Sequence, residues 1–429
     1  EMADAMYQNV LAWEDVLYVA NQVQGIIPAG GARTDDCRYP MTVRQNIRYM
    51  RMFAGAFMYA AGSHVGVGYG STSGLVCGSP VSATGAGSAN RLFGWGIAHE
   101  IGHNMDKLGK AEITNNIYAL AIQAWDGSSM IRPTRLTNSG IWARVYEKTS
   151  AARPGPAGNV FVQLGMYWQL HLAYDQADKP LKFYNDFFKA WKAGEYGSYS
   201  YDERVALIAS KTAGKDLTGF FTRWGMSLGD AAKAEMGKLP KETRALWYLN
   251  DSSYAYRING GAAFAGTVSV SARTEENKAV LTITGGDDAI LGYEIRRNGQ
   301  PVAFTTESSY TDDLGPANNL TYTYSVVPVD QLGNAGGEIK ANEVRVAWDT
   351  AIDPGLYDMA RDGNTVTITM KNGAVPVTGV KISGTELTGS YKVERKASAG
   401  DQSWSTVKEG TLSGSDTVGY FTKPGAKPD

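Results

Sequence analysis

Two histidines and two glutamates lie close enough along this chain to act chemically as one group. They occupy the run Trp95-Gly-Ile-Ala-His99-Glu100-Ile-Gly-His103-Asn-Met-Asp106 and the segment Lys-Leu-Gly109-Lys-Ala-Glu112 that follows it. The pattern is H-E-x-x-H with a further Glu nine positions on. On a helix, His99 and His103 are i and i+4, so both rings leave one face and can grip one metal ion. Glu100 then stands beside the open coordination position, where it can take a proton from the attacking water. A catalytic zinc needs three protein ligands and one exchangeable position, and Glu112 completes a His-His-Glu set. Only four histidines occur in 429 residues and two fall here, so a chance match is expected well below ~1% of the time.

Position separates this pattern from its rivals. The longer H-E-x-x-H-x-x-G-x-x-H motif needs glycine at 106 and histidine at 109, where the chain has Asp106 and Gly109. Asp106 stays open as an alternative third ligand, but three residues past His103 on one helix its reach is poor. Gly109 as a helix C-cap lets the chain turn. A second helix starting near Ala111 then brings Glu112 back toward the metal. Asn115 and Asn116 follow at i+3 and i+4 from Glu112 and share its face. Their amides either orient ligands or bind a substrate carbonyl or sugar hydroxyl, or they bond to backbone and water.

The elements that must hold this group divide near residue 260. Before it, helical periods dominate: Tyr7 to Gln24, Val43 to Ala60, the metal helix, Phe161 to Tyr174, Leu181 to Lys192, Tyr201 to Lys211, Asp216 to Trp224 and Lys241 to Leu249. Residues 62–90 are Gly- and Ser-rich and read as short strands and loops just ahead of the metal helix, among them His64-Val-Gly-Val-Gly and Gly74-Leu-Val-Cys-Gly78. A strand there is an edge on which an extended peptide can pair. From about Phe264 the pattern turns to period two, with Asn298-Gly299 as a hairpin signal, and suits a seven-strand sandwich ending near Trp348. Residues from about Thr350 repeat the style as a third, short β segment. The expected domains are 1–260, 263–348 and 350–429.

Composition excludes several classes. The chain is 43% hydrophobic and 20% charged with a formal net charge of -2, which leaves no electrostatic footprint for nucleic acid and no polybasic membrane anchor. No apolar stretch is long enough to span a bilayer. The chain starts at Glu1 inside a helix-like segment and reads as a processed or excised piece. Cys37 and Cys77 allow one disulfide or two buried thiols. Fifty glycines and 24 tyrosines with two cysteines fit a secreted or cell-surface bacterial protein, expected to be a monomer.

From His99 to Asn116 the chain resembles the enhancin-related zinc metallopeptidases, whose bacterial members attack mucins and other O-glycosylated proteins. The family pattern is H-E-x-G-H, a short spacer, then Glu and a hydrophobic-Thr-Asn-Asn stretch. Here it reads His99-Glu-Ile-Gly102-His103, eight residues, and Glu112-Ile-Thr-Asn-Asn116. The resemblance continues through Tyr167-Trp-Gln-Leu-His171 and Phe220-Phe-Thr-Arg-Trp224 and covers roughly residues 1–255. It implies one zinc held by His99, His103 and Glu112, with Glu100 as the base. It also implies an α+β zincin-like metallopeptidase domain with a helical C-terminal subdomain, followed by β-sandwich modules. Residues 290–335 resemble a fibronectin type III sandwich. Residues 375–420 are similar to the later half of a discoidin-type carbohydrate-binding module, a possible second glycan contact.

The expected activity is hydrolysis of peptide bonds next to glycosylated Ser or Thr in mucin-type proteins. A general peptidase with no glycan requirement, and a glycan-binding adhesin with an inactive peptidase domain, are the alternatives. Sugar recognition needs aromatic faces and polar forks near the metal. Trp95 lies one turn before His99. Trp142, Arg144 and Tyr146 alternate, so an extended backbone puts all three on one face. His64 and His171 read as structural, the latter as core.

Overall fold

The computed structural model describes residues 16–30, 46–53, 58–62, 64–68, 95–125, 130–275, 278–314, 321–345 and most of 352–420. Cys37, Cys77 and the run Gly74 to Gly78 lie outside these. So do the start of the first expected helix and the middle of the second. Residues 16–23 are helical, in keeping with the expectation for that part.

The stretch from Val43 to Ala60 is not the helix its periodicity suggests. Strand β1 (Asn46–Met50) pairs in parallel with β3 (His64–Gly68), and β2 (Met58–Ala60) pairs antiparallel on the other side. Pairing across the sheet overrides a local pattern that is ambiguous in short apolar runs. The alternating sequence of β3 explains its place at the centre. Val65 and Val67 are fully buried on one face. On the other face Gly66 lies opposite Tyr59, and a Cβ there would meet the tyrosine ring at 2.0 Å.

Helix α1 (Trp95–Met105) follows and packs against β2, β3 and α2 (Asn116–Ala124). All nine residues of α2 are buried, as its Ile-Tyr-Ala-Leu-Ala-Ile composition requires. Next come α3 (Arg135–Asn138), α4 (Ile141–Ser150) and α5 (Val160–Tyr174). Asn159 caps α5 by accepting from the amides of Phe161 at 2.8 Å and Val162 at 3.3 Å. The helical layer is completed by α6 (Lys182–Lys192), α7 (Tyr201–Ala213), α8 (Thr218–Arg223), α9 (Asp230–Met236) and α10 (Asp251–Ile258).

Lys241 to Leu249 forms only a 3-10 turn at Leu246–Tyr248. Lys241 bridges to Asp216, and the amides of Asp216 and Glu242 are bonded to Pro240 and Asp216 carbonyls. The first half of the expected helix is thus drawn into extended pairing.

The period-two region folds into two facing sheets. One contains β4 (Ser269–Glu275), β5 (Lys278–Thr284) and β8 (Ser309–Asp313). The other orders β11 (Ile339–Lys340), β10 (Tyr324–Asp330), β6 (Ile290–Arg297) and β7 (Gln300–Thr305), and the short β9 (Thr321–Tyr322) pairs with β12 (Val344–Arg345). Leu281, Ile283, Ile295 and Val326 fill the space between them. The sandwich is not separate from the helices: Leu291, Phe304 and Val329 belong to the large helical core. Phe304 stacks on Tyr248 at 3.9 Å and meets Tyr146 edge-on at 4.8 Å.

Beyond residue 352 the described residues form six strands, paired into three two-stranded ladders. None of the described residues in this segment is buried, and Met359, Val366, Ile368 and Trp404 stand exposed.

Candidate metal centre and cleft

Helix α1 and the turn after it bring three ligand atoms to one point. The Nε2 atoms of His99 and His103 are 3.1 Å apart. Glu112 places Oε2 3.4 Å from His99 Nε2 and Oε1 3.1 Å from His103 Nε2. Ligands ~2.0–2.1 Å from a tetrahedral zinc are separated by ~3.3 Å, so this triangle fits the ion. His99, Glu100 and His103 also form a group whose ligand atoms lie within 4.8 Å of one another. Glu112 touches both imidazoles, at 3.4 and 3.1 Å, and so closes the triangle without Glu100.

Local sequence explains how the turn closes. Asp106 ends α1 and accepts from the amides of Leu108 at 2.9 Å and Gly109 at 3.0 Å, and from the Thr114 hydroxyl at 2.6 Å. Both oxygens of its carboxylate are thereby engaged in the turn. Gly109 takes φ +78° within this loop, and Glu112 itself takes φ +65°. The expected helix from Ala111 is instead a series of turns, and α2 starts only at Asn116.

Gly102 has a steric reason to be glycine. A Cβ there would sit 2.0 Å from the carbonyl oxygen of Asn115, so the smallest residue lets the turn lie against α1.

Asn115 and Asn116 are each 1% exposed and face His99, not the cleft. Asn116 Oδ1 is 2.6 Å from His99 Nδ1, and Asn115 Nδ2 is 3.4 Å from the His99 carbonyl. Burial removes both from the expected substrate-contacting set.

Trp142, Arg144 and Tyr146 are corrected too, because the segment is helix α4. Trp142 and Tyr146 point inward, and Arg144 faces solvent on another side. Trp142 donates to the Thr137 hydroxyl at 3.0 Å, and Tyr146 accepts from Asn250 at 2.9 Å while packing on the sandwich.

Trp95 does lie beside the centre. Its half-buried ring is 6.3 Å from that of His99 and 5.6 Å from Phe161. The Arg135 guanidinium covers both aromatic rings, at 4.7 Å from Trp95 and 4.6 Å from Phe161. Among the described residues no carboxylate pairs with it, and burial pulls its pKa down. Nothing in the sequence around Arg135 signals this: the contact joins residues 95, 135 and 161 from three helices. The start of the helix that carries Arg135 is tied to a buried carboxylate. Asp251 accepts from Thr134 N and Oγ1, from Thr137 Oγ1 and from Trp168 Nε1, all at 2.7–2.9 Å.

A cavity of 370 Å³ at the centre is lined by strand β2 with Gly62 on one side and by His99, Glu100, His103, Asn104 and Glu112. Among the described strands β2 lies at one edge of this sheet and His64 to Gly68 is the central strand; the other run expected to supply an edge, Gly74 to Gly78, lies outside the described residues. Burial pushes the Glu100 pKa up, His99 pulls it down, Glu112 adds to the rise and the Ala60 amide opposes it, for a net elevation. His64 bonds the Tyr59 hydroxyl at 2.9 Å. His171 is fully buried between Trp168 and Tyr254 and paired with Asp175 at 2.6 Å.

A histidine pair one turn apart, an intervening glutamate and a returning carboxylate define a metallopeptidase-type centre. Residues 6–225 match the family described as Peptidase M60, enhancin and enhancin-like. That is just over half of the chain, and the chain belongs to this family.

Solved structures share the fold. The M60 catalytic domain of Clostridium perfringens ZmpC, solved in complex with the sialyl T antigen, is 24% identical over 78% of this chain, with a TM-score of 0.61. The ZmpB metallopeptidase of the same organism is 25% identical over 79%, with a TM-score of 0.60. A metallopeptidase from Bacteroides thetaiotaomicron is 19% identical over 79%, with a TM-score of 0.51. The chain spans 63%, 63% and 61% of those chains. No curated protein matches it. Among the described residues no helix is long and apolar enough to cross a membrane.

Proposed function

We propose that this chain is a secreted or cell-surface zinc metalloendopeptidase that cleaves polypeptide next to O-glycosylated Ser or Thr in mucin-type proteins. The observation that carries the reading is the His99–His103–Glu112 triangle with Glu100 beside it and the Trp95–Arg135–Phe161 shelf adjoining. Bound zinc supplies Lewis acidity and makes water acidic enough to lose a proton near neutral pH. His99, His103 and Glu112 would hold it. Glu100 takes the proton of the attacking water and passes it to the leaving amine. The β2 edge offers main-chain groups to an extended peptide. An open cleft suits a bulky glycosylated chain, and the shelf offers a ring face and a guanidinium fork to a sugar. The ZmpC domain solved with the sialyl T antigen supports a glycan ligand by analogy.

The test uses one synthetic peptide with and without a single O-linked GalNAc. The glycosylated form alone is expected to be cut, and chelation of the metal is expected to abolish cleavage. Equal kcat/KM for the two forms would leave a general peptidase as the better account. Zinc-independent cleavage would remove the metal from the mechanism.

A further inference from the structure

We infer that Asn116 is a positioning residue that ties two of the three metal ligands together and sets the tautomer of one of them. The inference rests on the zinc reading above.

Asn116 opens α2 and is buried. Its amide nitrogen is 2.8 Å from the Glu112 carbonyl, and its amide oxygen is 2.6 Å from His99 Nδ1. A carbonyl only accepts, so the NH2 end of the amide must face Glu112. The oxygen end then faces Nδ1, and it too only accepts. His99 must therefore carry its proton on Nδ1. That leaves the lone pair on Nε2, aimed at the point shared with His103 and Glu112. Asn115 Nδ2 lies 3.3 Å from the same Nδ1 and 3.4 Å from the His99 carbonyl; with Nδ1 protonated, only the carbonyl can accept from it, and the 2.6 Å contact from Asn116 is the shorter one to the ring.

The second arm acts on the backbone. Glu112 takes φ +65°, a region that a non-glycine residue seldom adopts. The Asn116 side chain holds its carbonyl in that conformation and so keeps the carboxylate turned toward the histidines. Gly102 makes the arrangement possible by letting the Asn115 backbone lie against α1. One amide thus couples a helix-borne ligand to a turn-borne one, and loss of it should loosen both.

The test compares wild type with Asn116→Leu, which removes both arms, and Asn116→Asp, which keeps the acceptor and removes the donor. Zinc affinity is measured by chelator competition. The His99 tautomer is read from nitrogen chemical shifts in the zinc-free protein, where four histidines keep the spectrum simple. The expected results are a proton on Nδ1 in wild type and a loss of about 10–100-fold in zinc affinity in Asn116→Leu. Asn116→Asp should keep the tautomer and still bind zinc more weakly than wild type. A proton on Nε2 in wild type overturns the inference, as does wild-type zinc affinity in folded Asn116→Leu. If the leucine variant does not fold, undiminished affinity in Asn116→Asp overturns the Glu112 arm. Failure of wild type to bind zinc would sink the metal reading instead, and the tautomer would still judge the Asn116 contact.

Discussion

Glu100 and Arg135 stand on either side of the proposed reaction, one acting on the water and one on the substrate's decoration. Glu100 is not needed to complete the ligand triangle, so Glu100→Gln should keep zinc and fold while turnover falls by about 10²–10⁴-fold or more. Metal analysis and a peptide assay on the same sample decide this, and a metal-loaded variant with near wild-type turnover would sink the general-base role. Among the described residues no carboxylate pairs with Arg135, which packs on Trp95 and Phe161. A guanidinium freed in this way has donors to offer a sugar. Arg135→Ala should lower kcat/KM on a glycopeptide by about 10–100-fold, the worth of a hydrogen bond to a charged group. Any cleavage of the bare peptide should be unaffected. An equal loss on both peptides would place the effect in folding or in the metal centre.

At the scale of elements, the close approach of α1 to the turn before α2 is the contact on which the centre depends. Gly102→Ala tests it, because two effects oppose one another. Helix propensity favours alanine by about 1 kcal/mol. Against that, the new Cβ would lie 2.0 Å from a backbone carbonyl, and a carbonyl in a tight turn cannot swing aside as a flexible side chain would. Overpacking of this kind costs about 1–3 kcal/mol or more. Net destabilisation in urea titration is expected, with weaker zinc binding; a more stable variant with unchanged affinity would show that the turn yields easily. The same geometry explains why the sequence was only partly legible here. The i, i+4 histidines and the nine-residue step to Glu112 could be read directly. The turn conformation of Glu112 could not, since it depends on Asp106, Thr114 and Asn116 closing the loop together.

Across the whole molecule, the helical part and the sandwich share one buried boundary. Glu294 of β6 accepts from Arg223 at 2.6 Å, from the Tyr248 hydroxyl at 2.8 Å and from Arg296 at 2.9 Å. It is 5% exposed. Removing the carboxylate strands buried donors on both sides, and Glu294→Ala should destabilise by roughly 3–5 kcal/mol. Because Phe304 also packs on Tyr146 and Tyr248, the two parts should unfold in one calorimetric transition in wild type. Two well-separated transitions there would show that the boundary carries little of the stability. Tyr146 belongs to this boundary, which is why its spacing with Trp142 and Arg144 misled: a period-two pattern over five residues is too short to exclude a helix.

The sequence by itself carried the ligand spacing from which the chemistry is proposed, and the change from helical to strand architecture. Both are written in local spacing: 3.6-residue and two-residue periods, and ligands within fourteen positions of one another. Tertiary structure alone decided the rest. It made residues 46–50 and 58–60 strands of a three-stranded sheet. It turned Asn115 and Asn116 inward against His99, and it gathered Trp95, Arg135 and Phe161 into a shelf. Each of these depends on contacts between residues far apart in the chain, whose energies no local pattern carries.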